Sequence, residues 1–354
     1  MFDSLNSEGG FALGLDWEKT IKDLLNREAE TNFKPLFCQG DLQTIAGRYW
    51  PNPFTEAAHV TEKRLFSTTN ETKVLAYINR TLAERKLGTI LAVHGLAGSG
   101  KSSYMRALTN SALTHGMDVI RLTVRNCGGT ENLTPTLYHS GLTEDLHAVV
   151  DQLAPEPLVI VGFSMGGNIS LKLAGEWGTS PPVHVRGVCG VSVPISLAMC
   201  AQRLGHWRNK IYETHFLREL KHTVRKKQQL MPVLFEALQV SDIGSIYDFD
   251  DQVTAPAFGF RDADHYYEQS SSIHFLNSIR VPTLLVQAKD DPFVPFDVFK
   301  MAKVETCPHI QLVVTEYGGH VAFLSRLSPR FWVQELVANF ATKVLLMRIS
   351  REMS

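Results

Sequence analysis

The chain has 354 residues, 44% hydrophobic and 20% charged, the composition of an ordinary globular protein with room for one large or two ordinary domains. Lys+Arg number 35 against 36 Asp+Glu, a net charge of −1, which gives no electrostatic reason to expect nucleic acid or an anionic membrane as partner. Five widely spaced cysteines, an odd number with no C-x-x-C pair, argue against a disulfide framework and a zinc site and point to a reducing, cytoplasmic compartment.

The chain start lacks a positive n-region and a continuous apolar stretch, so no signal peptide is expected. No run of about 18 apolar residues marks a membrane span, although peripheral membrane contact through an apolar lid stays open. Residues 1–55 read as an N-terminal extension packed on the core. Within it, 17–27 has a weak helical pattern, and 33–54 is rich in Pro and turn residues and wraps the outside. Two β-like runs, 64–67 and 73–78, flank the turn-rich Thr68-Thr69-Asn70-Glu71 and form a hairpin.

From Thr89 onward, strand-like and helix-like runs alternate. Strands are predicted at 89–93, 118–124, 158–162 and 183–193, with helices at 102–114, 142–153 (capped by Ser140) and 165–177. Further on come strands at 283–288 and 310–315 and helices at 298–304 and 331–347. Short apolar strands between amphipathic helices imply a mostly parallel sheet covered on both faces. Residues 195–278 break this rhythm, being richer in charge and aromatics and without β runs. They read as a mainly helical cap inserted into a core of 56–194 and 279–354. A basic stripe could hide in the neutral total, but Arg225-Lys226-Lys227 is short and reads as a solvated helix face.

The apolar run Leu158-Val159-Ile160-Val161 leads into Gly162-Phe163-Ser164-Met165-Gly166-Gly167, and a helical pattern follows. This is G-x-S-x-G in the strand–turn–helix context of the α/β-hydrolase nucleophile elbow. A serine hydroxyl needs a base to take its proton, and in this fold the partners follow in the order Ser, acid, His. The candidates among the downstream histidines are His265 and His274 in the cap, His309 before the last strand, and His320 just after it. A loop past the last strand is where a histidine can swing over the strand ends, which favours His320. Asp290 and Asp291 compete at the end of the preceding strand. Asp291 is preferred because D-x-apolar-apolar-Pro then leads into the next helix, with Asp290 a turn former. The loop after 89–93 and the residue after the nucleophile supply oxyanion amides in this architecture, here Leu96 and Met165.

The same loop, Gly95-Leu96-Ala97-Gly98-Ser99-Gly100-Lys101-Ser102, literally matches the phosphate-binding pattern G-x-x-x-x-G-K-[ST]. A nucleotide site also needs an Asp ending a neighbouring strand. The neighbouring runs end instead in Arg125-Asn126-Cys127 and Gly162-Phe163-Ser164. A chance match is favoured, with Ser102 capping a helix and Lys101 solvated.

Several segments together resemble the YheT-like group of α/β-hydrolases, also called AB hydrolase family 4. They are Asp41-Leu42-Gln43-Thr44-Ile45, His94-Gly95-Leu96, Tyr138-His139-Ser140-Gly141-Leu142-Thr143-Glu144-Asp145, the Ser164 elbow, Ala263-Asp264-His265-Tyr266-Tyr267, Ala288-Lys289-Asp290-Asp291-Pro292-Phe293 and Gly318-Gly319-His320-Val321. The family's Ser, Asp and His fall on Ser164, Asp291 and His320. Departures include Asp41, where the family shows a His, and Asn126 within the family's R-G-C-S-G. The resemblance implies a carboxylesterase acting on short-chain esters or acylglycerol-like lipids, without cofactor or metal. Three competing functions remain: an acyltransferase on the same three residues, a nucleotide-binding protein using the Lys101 loop, and a non-enzymatic binding module.

Overall fold

The computed structural model describes residues 33–55, 59–69 and 71–352, with side chains as far as Met347. The helical pattern at 17–27 lies outside these residues. Among them, eight strands form one sheet: β1 (Thr61–Ser67), β2 (Lys73–Asn79), β3 (Gly88–Val93), β4 (Met117–Thr123), β5 (Leu158–Phe163), β6 (Val185–Val191), β7 (Thr283–Ala288) and β8 (Ile310–Thr315). Their order is β1-β2-β4-β3-β5-β6-β7-β8. The β1–β2 hairpin pairs Phe66 with Val74, and β2 runs antiparallel to β4. Every other neighbouring pair is parallel.

Successive side chains on a strand point to opposite faces, and both faces of the central strands are apolar because helices cover both. Leu91, Val93, Ile160 and Leu122 pack with Ile169 and Leu173 of α4 (Met165–Trp177) and Leu146 and Val149 of α3 (Glu144–Leu153). Ile90, Ala92, Val159 and Val161 pack with Met105 and Leu108 of α2 (Ser103–Thr114) and Val337 and Phe340 of α9 (Trp332–Glu352).

Between β6 and β7 the chain is helical. It contains α5 (Leu197–Gly205), α6 (Lys210–Leu230), short turns at Pro232–Phe235 and Ile246–Phe249, a π-helical turn at Asp250–Thr254, and α7 (Ala263–Ser270). This insertion has an apolar cluster of its own, with Leu217, Val224, Phe235 and Phe249, into which Leu137 reaches from the loop before α3.

Several expectations need correction. The 33–54 stretch is not all turns, because α1 (Gly40–Tyr49) occupies part of it and packs on α2. The helix predicted from 142 starts at Glu144 with Thr143 at its cap position. Ser140 instead donates its N–H to the Tyr266 hydroxyl and accepts at its carbonyl from Asn168. The helix predicted at 298–304 is α8 (Asp297–Met301), followed by a separate turn at Val304–Thr306. Lys227 is not solvated: it is fully buried and donates to the carbonyls of Glu131 and Thr134. Burial pulls its ammonium down to about 8.

Candidate active site

Ser164 stands between β5 and α4 with φ 51° and ψ −121°, a conformation that costs a non-glycine residue about 1–3 kcal/mol. The surroundings hold it there. Its N–H donates to the Val191 carbonyl at 2.9 Å, and its own carbonyl accepts from Gly167 and Asn168. A Cβ on Gly166 would lie 2.4 Å from the Val93 carbonyl oxygen, so the helix start can press against β3 only with glycine there.

The His320 Nε2 is 2.9 Å from the Ser164 hydroxyl, and its Nδ1 is 2.9 Å from Asp291 Oδ2. With Nδ1 donating to the carboxylate, Nε2 faces the serine as an acceptor. Asp291 is buried, and its Oδ1 also accepts the Phe293 and Val294 amides at 2.8 and 3.0 Å. The loop around His320 is held from three sides. Gly319 donates to Asp290 Oδ1, His320 donates its backbone N–H to Thr44 Oγ1 at 2.8 Å, and Val321 donates to Ser192 Oγ. Val321 has φ 56°, unusual for a β-branched residue. The Phe293 ring packs 4.6 Å from the imidazole. Of the four candidate histidines, His320 lines the cavity that contains Ser164, whereas His265, His274 and His309 do not.

Leu96 and Met165 line the same cavity. Met165 opens α4, and the first amides of a helix have no intrahelical acceptor. The Leu96 loop runs so near that a Cβ on Gly95 would be 3.0 Å from the Ser164 Cβ. His94 anchors that loop, donating from Nδ1 to the Gly95 carbonyl and accepting the Val124 N–H at Nε2. Burial pulls its imidazole down to about 4, so it stays neutral and keeps both bonds at neutral pH.

The 95–102 loop that matches the phosphate-binding pattern is not arranged as an anion cradle. The amides of Gly98, Ser99, Gly100 and Lys101 donate to Gly95, Ser102, Thr123 and Ser99 respectively. Lys101 lies over the Tyr77 ring.

The cavity measures about 850 Å³. Leu197, Phe216, Leu220 and Phe293 give it apolar walls, while Ser140, Asp250 and Tyr267 form a polar region. The Asp250 carboxylate accepts from the Tyr267 and Thr254 hydroxyls at 2.8 Å each, and burial pushes it up to about 6. His139, also lining the cavity, is pulled down to about 3 chiefly by burial. Sequence reasoning missed Thr44, His139 and Asp250. The first two fall in segments that carried the family resemblance, but with no role attached, and Asp250 had no signal. Among the described residues, no group of three His, Cys, Asp or Glu could hold a metal ion, and no helix is long and apolar enough to cross a membrane.

The family model described as the alpha/beta hydrolase fold matches residues 88–327. The Escherichia coli protein YheT, named an esterase, is 33% identical over 265 residues, covering 72% of this chain and 77% of that one. Phospholipase ABHD3 of Mus musculus is 32% identical over 247 residues, 68% of this chain, and the chain spans only 60% of that relative. Among solved structures, the Pyrococcus furiosus esterase Pf2001 superposes with a TM-score of 0.53 at 18% identity, covering 83% of this chain and 98% of that one. That last likeness speaks for the fold alone. The sheet order, the elbow at its centre and these matches lead to one statement: the chain belongs to the α/β-hydrolase family, in the branch that includes YheT.

Proposed function

We propose that the chain hydrolyses carboxylic esters by two-step acyl transfer. His320 takes the proton of Ser164, whose oxygen attacks the ester carbonyl. The Leu96 and Met165 amides stabilise the oxyanion, worth roughly 3 kcal/mol per donor in comparable sites. His320 then protonates the departing alcohol, and a water activated by the same imidazole cleaves the acyl-enzyme. Asp291 holds the imidazole in the required tautomer and balances its charge when protonated. Residues 195–278 act as the cap over the cavity. Its apolar walls suit the acyl chain of a short-chain ester or acylglycerol, and its volume falls in the range of small-molecule sites. The setting we propose is reducing and cytoplasmic, in keeping with five cysteines that are all unbridged.

The observation that supports this most is the chain of contacts from Asp291 through His320 to a backbone-strained Ser164 within one cavity. A fluorophosphonate probe tests it. Covalent labelling is expected at Ser164, located by mass spectrometry, and absent in Ser164→Ala. That variant should fold and lose activity on p-nitrophenyl esters by about 10⁶-fold. Undiminished turnover by the variant, or no labelling of folded wild type, defeats the proposal.

A further inference from the structure

The outer face of α6 is not the neutral surface that the total charge suggests. Along α6 the exposed positions include Ile211, Thr214, Arg218, His222, Arg225 and Gln229, at the three- and four-residue spacing of one helix face. No carboxylate is exposed anywhere on this helix. Its two glutamates are Glu213, which is buried, and Glu219, which is half-buried. At the N-terminal end of the stripe, Trp207 is 76% exposed and Ile211 84% exposed. At the other end, about 30 Å away at 1.5 Å per residue, Leu230 is followed by the exposed Val233 and Leu234.

Helix α1 lies alongside. Tyr212 donates to Asp41, and Arg48 meets His215 at 3.2 Å. On α1, Leu42, Ile45 and Tyr49 share one face and are all exposed, Tyr49 to 75%. Ile45, Tyr49 and Ile211 also line the cavity of Ser164. Residues that belong to both the cavity and the outer surface form its mouth. The mouth is therefore framed by apolar side chains with cations beyond them, where most enzyme surfaces carry mixed charge.

We infer that α1 and the outer stripe of α6 dock on an anionic phospholipid surface, with the cavity mouth against the bilayer. Isoleucine, leucine and aromatic side chains enter the headgroup boundary, and tryptophan and tyrosine favour that layer. Arginines beside them meet anionic headgroups. An ester held in the bilayer then reaches the cavity without its acyl chain crossing water. The inference rests on the proposed ester hydrolysis only for the choice of substrate; the docking itself does not need the chemistry.

The test is flotation of the full chain with vesicles of phosphatidylcholine alone and of phosphatidylcholine with one-third phosphatidylglycerol. Hydrolysis of water-soluble p-nitrophenyl acetate is followed in parallel. The wild type is expected to float with the anionic vesicles, less with the neutral ones, and less in high salt. Arg218→Ala with Arg225→Ala should lower partitioning roughly 25-fold, at about fivefold per charge. Trp207→Ala with Leu42→Asp should also release the protein. Both pairs should keep the wild-type rate on the soluble ester, and Ser164→Ala should float like wild type. Failure of the wild type to float, equal flotation with both vesicle types, or undiminished flotation of the variants overturns the inference. A wild type that floats with the anionic vesicles but cleaves no ester supports the docking face and overturns the chemistry, so the two are read separately.

Discussion

Asp291 has more to do than face a histidine. Its Oδ1 accepts two amides of its own loop as well as lying 3.1 Å from the His320 ring. An asparagine there can satisfy the amides or the imidazole N–H, but must turn a donor toward one of them. Asp291→Asn is therefore expected to lower kcat about 10⁴-fold with little change in KM, as steady-state kinetics on a soluble ester will read. His139 gives a different forecast. Its ordinary value is 6.5 and burial pulls it to about 3, so the unfolded chain takes the proton first as the pH falls. The stability it lends is full above about pH 6.5 and is lost on acidification at ~1.4 kcal/mol per pH unit. His139→Gln should flatten the pH dependence of urea unfolding by that slope between pH 6 and 4, and an unchanged slope would contradict it. At this scale the sequence was most legible where chemistry is written locally. Ser164 is set by its immediate neighbours, whereas Thr44 meets His320 across 276 positions, a distance no spacing rule covers.

Among the elements, the strands were readable because two apolar faces leave continuous apolar runs. Helix α1 was not, because Gly40-Asp41-Leu42-Gln43-Thr44-Ile45-Ala46-Gly47-Arg48-Tyr49 carries two glycines, the poorest non-proline helix formers. The reason for one of them is tertiary. A Cβ on Gly40 would fall 1.9 Å from the Asp290 carbonyl oxygen, so α1 can approach the acid loop only without a side chain there. The same approach brings the Gln43 side chain to the Leu324 backbone and Thr44 to the His320 amide. Thr44 is thus a positioning residue. Thr44→Val should reduce kcat about fivefold, an amide hydrogen bond being worth ~1 kcal/mol, at unchanged KM. Thr44→Ser should restore it. A loss of stability with kcat per folded molecule unchanged would mean that Thr44 only packs. Edges of elements were read less well for a similar reason: Ser140 could have capped a helix, but Tyr266 and Asn168 claim its backbone.

At the scale of the molecule, the insertion is pinned to the core at separated points. The Asn168 side chain holds Ser270 and Ser272, and Asn209 donates to the Pro292 carbonyl. From the last turn of α6, Lys227 enters the loop of Glu131 and Thr134. A buried ammonium with two carbonyl partners is worth keeping whole. Lys227→Met preserves the stem but strands both acceptors, and should cost ~1–3 kcal/mol in urea unfolding. That residue was misread as a solvated cation because a basic run alone does not tell which of its members faces inward.

These latches bear on timing. A lid that must swing aside before each encounter gives progress curves that begin slowly, and it ties the rate to whatever event releases the lid. Here the helical insertion is fastened to the core, and the mouth lies beside it, between α1 and the start of α6. Product from a dissolved ester should therefore appear at its full rate from the first instant. As dissolved ester is made more concentrated, below its solubility limit, velocity should rise along a simple saturation curve, without the lag that a lid-opening step would produce.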